Sequence, residues 1–223
     1  MQLPFSAEQF FGVFRAYNAA VWPAQWLLNA LAVTALAAAI VGRPGAGRVT
    51  SAILALLASW TGVVYHVIHF SPINPLAYAF AAIAVGGALA MAWHGVVHDR
   101  LVFRLRRDAR TVTGVLLVGF ALVVYPAWSI AIGHRYPELP TFGLPCPTTL
   151  FTIGMLAFLQ RPYPRSVVVA PLAWSLVGAQ AAFLLGVTPD LALLVAAAAA
   201  IVFLVRNGNA HDRLDHQRIP SLR

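Results

Sequence analysis

The chain has 223 residues, 60% of them hydrophobic and only 10% charged, with a mean hydropathy of +0.77. A soluble globular domain carries about 25% charged residues, so this deficit excludes a mainly water-facing surface and points to lipid. The formal net charge of +8 is carried by arginine, without a lysine; apart from Arg15 and Arg135, every arginine falls in one of four segments outside the apolar runs, which reads as an orientation signal and not as a nucleic-acid footprint.

Ser6-Ala7-Glu8-Gln9 has the S-x-x-Q form of a capping box and predicts a helix from Ser6. Phe10, Phe14, Tyr17 and Val21 recur at helical spacing, with Glu8, Arg15 and Asn18 elsewhere around the axis, as in an amphipathic helix lying in the interface. The N-terminus has no positively charged leader segment, and the first long apolar run is followed by Arg43 and Arg48, so no secretory signal peptide is expected.

Apolar runs at 22–42, 49–70, 74–93, 111–133, 146–160, 166–187 and 189–205 then predict about seven transmembrane helices, most close to the ~20 residues that cross a ~30 Å hydrocarbon core. Pro126 is expected to kink the fourth, with Tyr125 and Trp128 in an interfacial aromatic belt. Thr188-Pro189 reads as an N-cap followed by proline at the first helical position of the last span. Ala196 to Ala200 supplies small residues for close helix contact.

The arginines lie in 43–48, 94–110, 161–165 and the tail, and these segments alternate with arginine-poor ones along the seven runs. The expected fold is therefore all-α, a polytopic membrane helix bundle with an N-terminal interfacial helix. Its N-terminus is outside and its C-terminus cytoplasmic. Residues 1–205 form one transmembrane domain and 206–223 a polar, mobile cytoplasmic tail. Within 94–110, Val97, Leu101 and Leu105 fall on one helical face and Arg100, Arg104 and Arg107 on another, the pattern of a basic helix touching anionic lipid headgroups; a solvated extension that only sets topology is the plainer alternative.

Every acidic residue lies at a span end or outside one, which argues against a carboxylate-driven pump, and the absence of lysine excludes a retinal Schiff base. Polar residues collect near the outer face. Ser59, Gly62, His66 and His69 occur at helical spacing in the second span, ending in H-x-x-H with both imidazoles expected on nearly one face. The segment from His134 to Thr149 has four prolines between 137 and 147 and cannot be a regular helix. The apolar run from Pro147 to Gln160 reaches only about 21 Å as a helix. A loop dipping into the outer half of the bundle accounts for both features.

That geometry brings Cys146 to a half-helix N-terminus beside His66 and His69 as three candidate metal ligands, with His134 or Glu138 as a fourth or supporting group and Thr149 and Ser59 in the same pocket. Thiolate plus imidazole favours zinc or copper. The alternative is packing: the glutamate of the zinc-protease H-E-x-x-H is missing, and a single apolar-context cysteine is ordinarily a small hydrophobe. As the only cysteine, Cys146 also excludes an intrachain disulfide and a multi-cysteine metal cage.

Pro4 to Phe10, Tyr17-Asn18, the Trp22-Pro23-Ala24-Gln25 turn, Tyr65-His66 and Thr141 to Thr149 together resemble a family of uncharacterised bacterial integral-membrane proteins known only as a domain of unknown function. The resemblance implies a bacterial inner membrane and supplies no activity. Three functions stay open. The first is a permease or channel for a small solute or metal ion through the outer His/Cys pocket. The second is a membrane-embedded enzyme with Cys146 as nucleophile or ligand and His66 or His69 as base. The third is a non-catalytic partner or sensor subunit contacting others through 94–110 and the tail.

Overall fold

Ser6 caps the first helix as its sequence requires: its hydroxyl accepts from the Gln9 amide at 3.2 Å, and the Gln9 side chain accepts from the Ser6 amide at 2.8 Å. The computed structural model describes residues 4–218, with side chains to Asn207, and these residues form eight helices and no strand. They are α1 (Ala7–Ala20), α2 (Ala24–Val41), α3 (Ala46–Phe70), α4 (Ala77–Val97), α5 (Ala109–Ala131), α6 (Pro145–Leu156), α7 (Ser166–Leu184) and α8 (Ala192–Arg218), the last entered through a single turn at Thr188–Leu191. Six of them are long and apolar enough to cross a membrane. Helix α8 continues to Arg218 through much of the segment expected to be a mobile tail; residues 219–223 lie outside the described residues.

Helix α6 differs from the others. At 12 residues it is about 18 Å long, too short to span alone, and Leu150, Phe151, Ile153, Met155 and Leu156 have no solvent exposure. A helix apolar on every side belongs inside a bundle, and α6 is enclosed by α5, α7 and α8. It meets α5 where two glycines face each other: a β-carbon on Gly114 would lie 2.7 Å from the Gly154 carbonyl, so only backbone fits at the crossing. Ala196 and Ala200 of α8 are likewise fully buried.

Contacts link the four arginine-rich segments at one end. Arg48 pairs with Asp99 at 3.5 Å, Arg104 and Gln160 donate their backbone amides to Phe158 and Val102, and Arg161 donates to the Arg206 carbonyl at 3.4 Å. The segment from His98 to Asp108 is not the basic helix that the four-residue spacing of Val97, Leu101 and Leu105 suggests. It is an extended strap whose alternation has period two, Leu101 and Phe103 buried beneath it and Arg100, Arg104 and Arg106 facing out. Burying two large apolar groups under the bundle outweighs the gain from one more solvated helix.

At the opposite end the apolar stripe of α1 packs on the bundle. Phe10, Phe14 and Tyr17 are buried in a cluster with Tyr65, Phe70 and Leu144. Asn18, expected on the polar side, is fully buried and ties down the proline-rich chain. Its amide group donates to the carbonyls of Pro137 (2.6 Å) and Leu139 (2.8 Å), and its oxygen accepts from Thr141 (2.6 Å). Arg15 pairs with Glu138 beside it. The chain from His134 to Leu144 thus folds into the bundle end, with Phe142 and Leu144 buried, before α6 begins.

Candidate functional site

The second half of α3, Thr61–Phe70, is wound with i→i+5 hydrogen bonds, closed by the Ser71 amide on the His66 carbonyl at 3.0 Å. The wider turn rotates residues three apart off a shared face, so His66 and His69 separate. His66 is buried against Trp174 of α7 and Phe80 of α4, with ring centroids at 4.7 and 5.7 Å. His69 turns to α1, edge-on to Tyr17 at 5.4 Å, with its Nδ1 bonded to the Val64 carbonyl at 2.7 Å. Tyr17 accepts a hydrogen bond from the Trp60 indole at 2.7 Å; burial pushes its phenol up to about 12, with that bond opposing the shift.

The other expected site residues are dispersed. His134 stacks on Phe11 at 4.6 Å, Glu138 is engaged by Arg15, and Ser59 is half-buried on α3. Cys146 and Thr149, both on α6, face two different cavities. Among the described residues no group of three or more His, Cys, Asp or Glu is placed to hold a metal ion, so the His66, His69 and Cys146 set expected for zinc or copper is not assembled. The local winding of α3 is the physical reason.

Around Cys146 a different group forms. The Tyr125 hydroxyl donates to the Asp190 carboxylate at 2.6 Å, and both side chains are about 1% exposed. Asp190 and Trp174 are the polar neighbours of the Cys146 thiol. Tyr125 is therefore not part of an interfacial belt. It follows the i→i+5 segment Phe120–Val124, where the wide turn absorbs the hydrogen bond that Pro126 cannot make, and the same turn aims the phenol inward. Asp190 escaped the sequence reading because it stands at a span end. A signal was present: Val187-Thr188-Pro189-Asp190-Leu191 joins two apolar runs without a glycine-, serine- or asparagine-rich loop that would carry the carboxylate into water.

Two cavities meet at this point. The larger, about 380 Å³, opens between α1, α3, α4 and α7, with aromatic walls such as Phe10, Phe14 and Phe80 and with Tyr65, Tyr125 and Cys146 as polar contacts. The smaller, about 50 Å³, lies among α3, α4, α6 and α7, with Thr61, His66, Thr148, Thr149 and Thr152 among its walls. It has room for about three or four water-sized groups. Phe80, Pro145 and Trp174 line both, forming the partition between them. Trp174 and Phe80 stand edge to face at 5.3 Å.

The smaller cavity is a mainly apolar chamber with a few polar groups in its walls. Thr61 and Thr152 donate to their own helix carbonyls at 2.9 and 2.8 Å, which leaves their oxygen lone pairs as acceptors. His66 Nδ1 and Trp174 Nε1 are buried and have no hydrogen-bond partner among the described residues. An unpaired buried polar group retains the free-energy cost of its desolvation. Among the described residues no arginine, aspartate or glutamate lines either cavity.

Residues 7–214 match a family described as a family of unknown function, DUF6064. No curated protein and no solved structure matches the chain.

Proposed function

The chain belongs to this family of unknown function, whose description carries no activity, and from its geometry we propose a multi-pass membrane permease for small neutral solutes that carry a hydrogen-bonding group. The observation that carries the proposal is the pair of cavities meeting at Phe80, Pro145 and Trp174. Ion pathways set charged rings or carbonyl cages along their walls. These walls hold tyrosine, threonine, histidine and thiol groups, which favours neutral solutes over a metal ion.

The proposed topology has seven crossings, α2 to α8, with the arginine-rich end cytoplasmic and α1 outside. In it the loop 134–144 and the short α6 together make the fifth crossing, as in transporters whose interrupted helices border a binding site. Irregular backbone is tolerated at that depth because Asn18 and the bundle satisfy it. A bacterial inner membrane is the setting that the family resemblance implies.

Stopped-flow light scattering on proteoliposomes tests the function, with urea and glycerol as solutes. Protein-containing vesicles are expected to equilibrate faster than protein-free ones. Ala58→Leu, which fills part of the chamber wall, slows the process, whereas Leu56→Ala on the exposed face of α3 does not. Rates equal to those of protein-free vesicles for every solute would contradict the reading.

A further inference from the structure

We infer that the arginine-rich end carries a second site, independent of the permeation path, which binds a phosphate group. The extended strap, the C-terminal end of α6 and the start of α5 enclose a cleft of about 320 Å³ lined by Arg104, Arg106, Arg110 and Arg161. Two hydrogen bonds fix its shape: Arg104 donates its amide to the Phe158 carbonyl and Gln160 donates to Val102, both at 2.8 Å. The cleft walls therefore consist of paired backbone, with arginine side chains projecting from them.

The four arginines divide by role. Arg110 is structural: its guanidinium donates to the carbonyls of Leu159 (3.0 Å) and Leu156 (2.8 Å) and to the Tyr163 hydroxyl (3.0 Å), closing the open end of α6. Its Nε is buried without a partner among the described residues. Arg104, Arg106 and Arg161 are exposed, and no described carboxylate forms an ion pair with any of them. Asp108, the one acid among the described residues of the cleft, is committed to the first turn of α5, where it accepts from the Thr111 amide at 2.8 Å.

Three guanidinium groups around one cleft outnumber that single carboxylate and match the fork geometry that phosphate oxygens accept. Val102 and Leu105, exposed apolar residues beside Arg104 and Arg106, add a surface for hydrocarbon next to the charge. The same phosphate chemistry is offered by an anionic lipid headgroup and by free phosphate.

Native mass spectrometry of the full chain separates these sources. Delipidated protein is titrated with phosphatidylglycerol in one arm and with inorganic phosphate in the other. R104Q/R106Q/R161Q is compared with R43Q/R100Q/R107Q, which removes equal charge outside the cleft. The expected result is one saturable phosphatidylglycerol adduct whose retention falls about 10-fold or more in the cleft variant and persists in the control. A phosphate adduct, or displacement of the lipid by millimolar phosphate, assigns the site to the free ion. If the cleft variant does not fold, the wild-type titration decides by itself. Absence of any saturable adduct, or equal loss in both variants, overturns the inference.

Discussion

The Tyr125 hydroxyl donates to Asp190 at 2.6 Å and so joins the second half of α5 to the turn that opens α8. The pair lies at the end opposite the arginines, where Tyr125 also lines the larger cavity. A buried carboxylate that loses its strongest donor retains more of the cost of its desolvation. Tyr125→Phe is therefore expected to destabilise the protein by about 1–3 kcal/mol. Thermal melts in detergent check this, with Tyr125→Phe/Asp190→Leu recovering part of the loss because neither partner is then left unpaired. An unchanged melting temperature for Tyr125→Phe would show that the bond carries no net stability.

Asn18 makes three side-chain hydrogen bonds to the proline-rich loop. Asn18→Leu fills the space but strands two carbonyls and a hydroxyl, with an expected cost of about 2 kcal/mol or more. Limited proteolysis should then cut within 134–144 at protease levels that leave the wild type intact. Equal protection in both proteins would mean that packing of Phe142 and Leu144 alone holds the loop.

Arg110 is expected to tolerate no conservative change. Lysine retains the charge but cannot reach the Leu156 and Leu159 carbonyls together with a planar fork. Arg110→Lys should lower stability by about 1.5–3 kcal/mol, the range for a hydrogen bond to a charged group. A melting temperature equal to that of the wild type would contradict the capping role.

Asp108 supplies a pH dependence. Its hydrogen bond from the Thr111 amide, aided by the nearby Arg106 and Arg110, holds its carboxyl below the ordinary carboxylate range, with burial opposing. A lowered folded-state value means that the stabilisation is present above the unfolded value of about 4 and is lost as pH falls through the folded one. Asp108→Ala should cost about 1 kcal/mol at neutral pH, as for an N-cap, and the gap between the two proteins should narrow on acidification below that point. A gap independent of pH would exclude the charged cap as its source.

The apolar runs were legible because hydropathy reports burial in lipid directly. Six of the seven reappear as long helices, and the exception, 146–160, is the one whose length already set it apart. The site was less legible. His66 and His69 share a face only under regular α-helical winding, and nothing in Thr61 to Phe70 marks the wider turn. Asn18, Tyr125 and Asp190 take their roles from partners more than 60 positions away, which local periodicity does not register. The strap was partly within reach: Leu101 and Phe103 stand two apart between Arg100 and Arg104, as on one face of an extended chain, but the spacing of Val97, Leu101 and Leu105 suggested a helix.

Cys146, the only cysteine, lines the larger cavity beside the Trp174 partition, which makes it a single-site block of the proposed path. The most direct measurement is urea flux into proteoliposomes before and after stoichiometric labelling of Cys146 with N-ethylmaleimide, with Cys146→Ser carried through the same treatment. The account predicts accelerated flux in both untreated proteins, its loss on labelling of the wild type and its persistence in Cys146→Ser. Flux that is unchanged after complete labelling would contradict passage through this cavity.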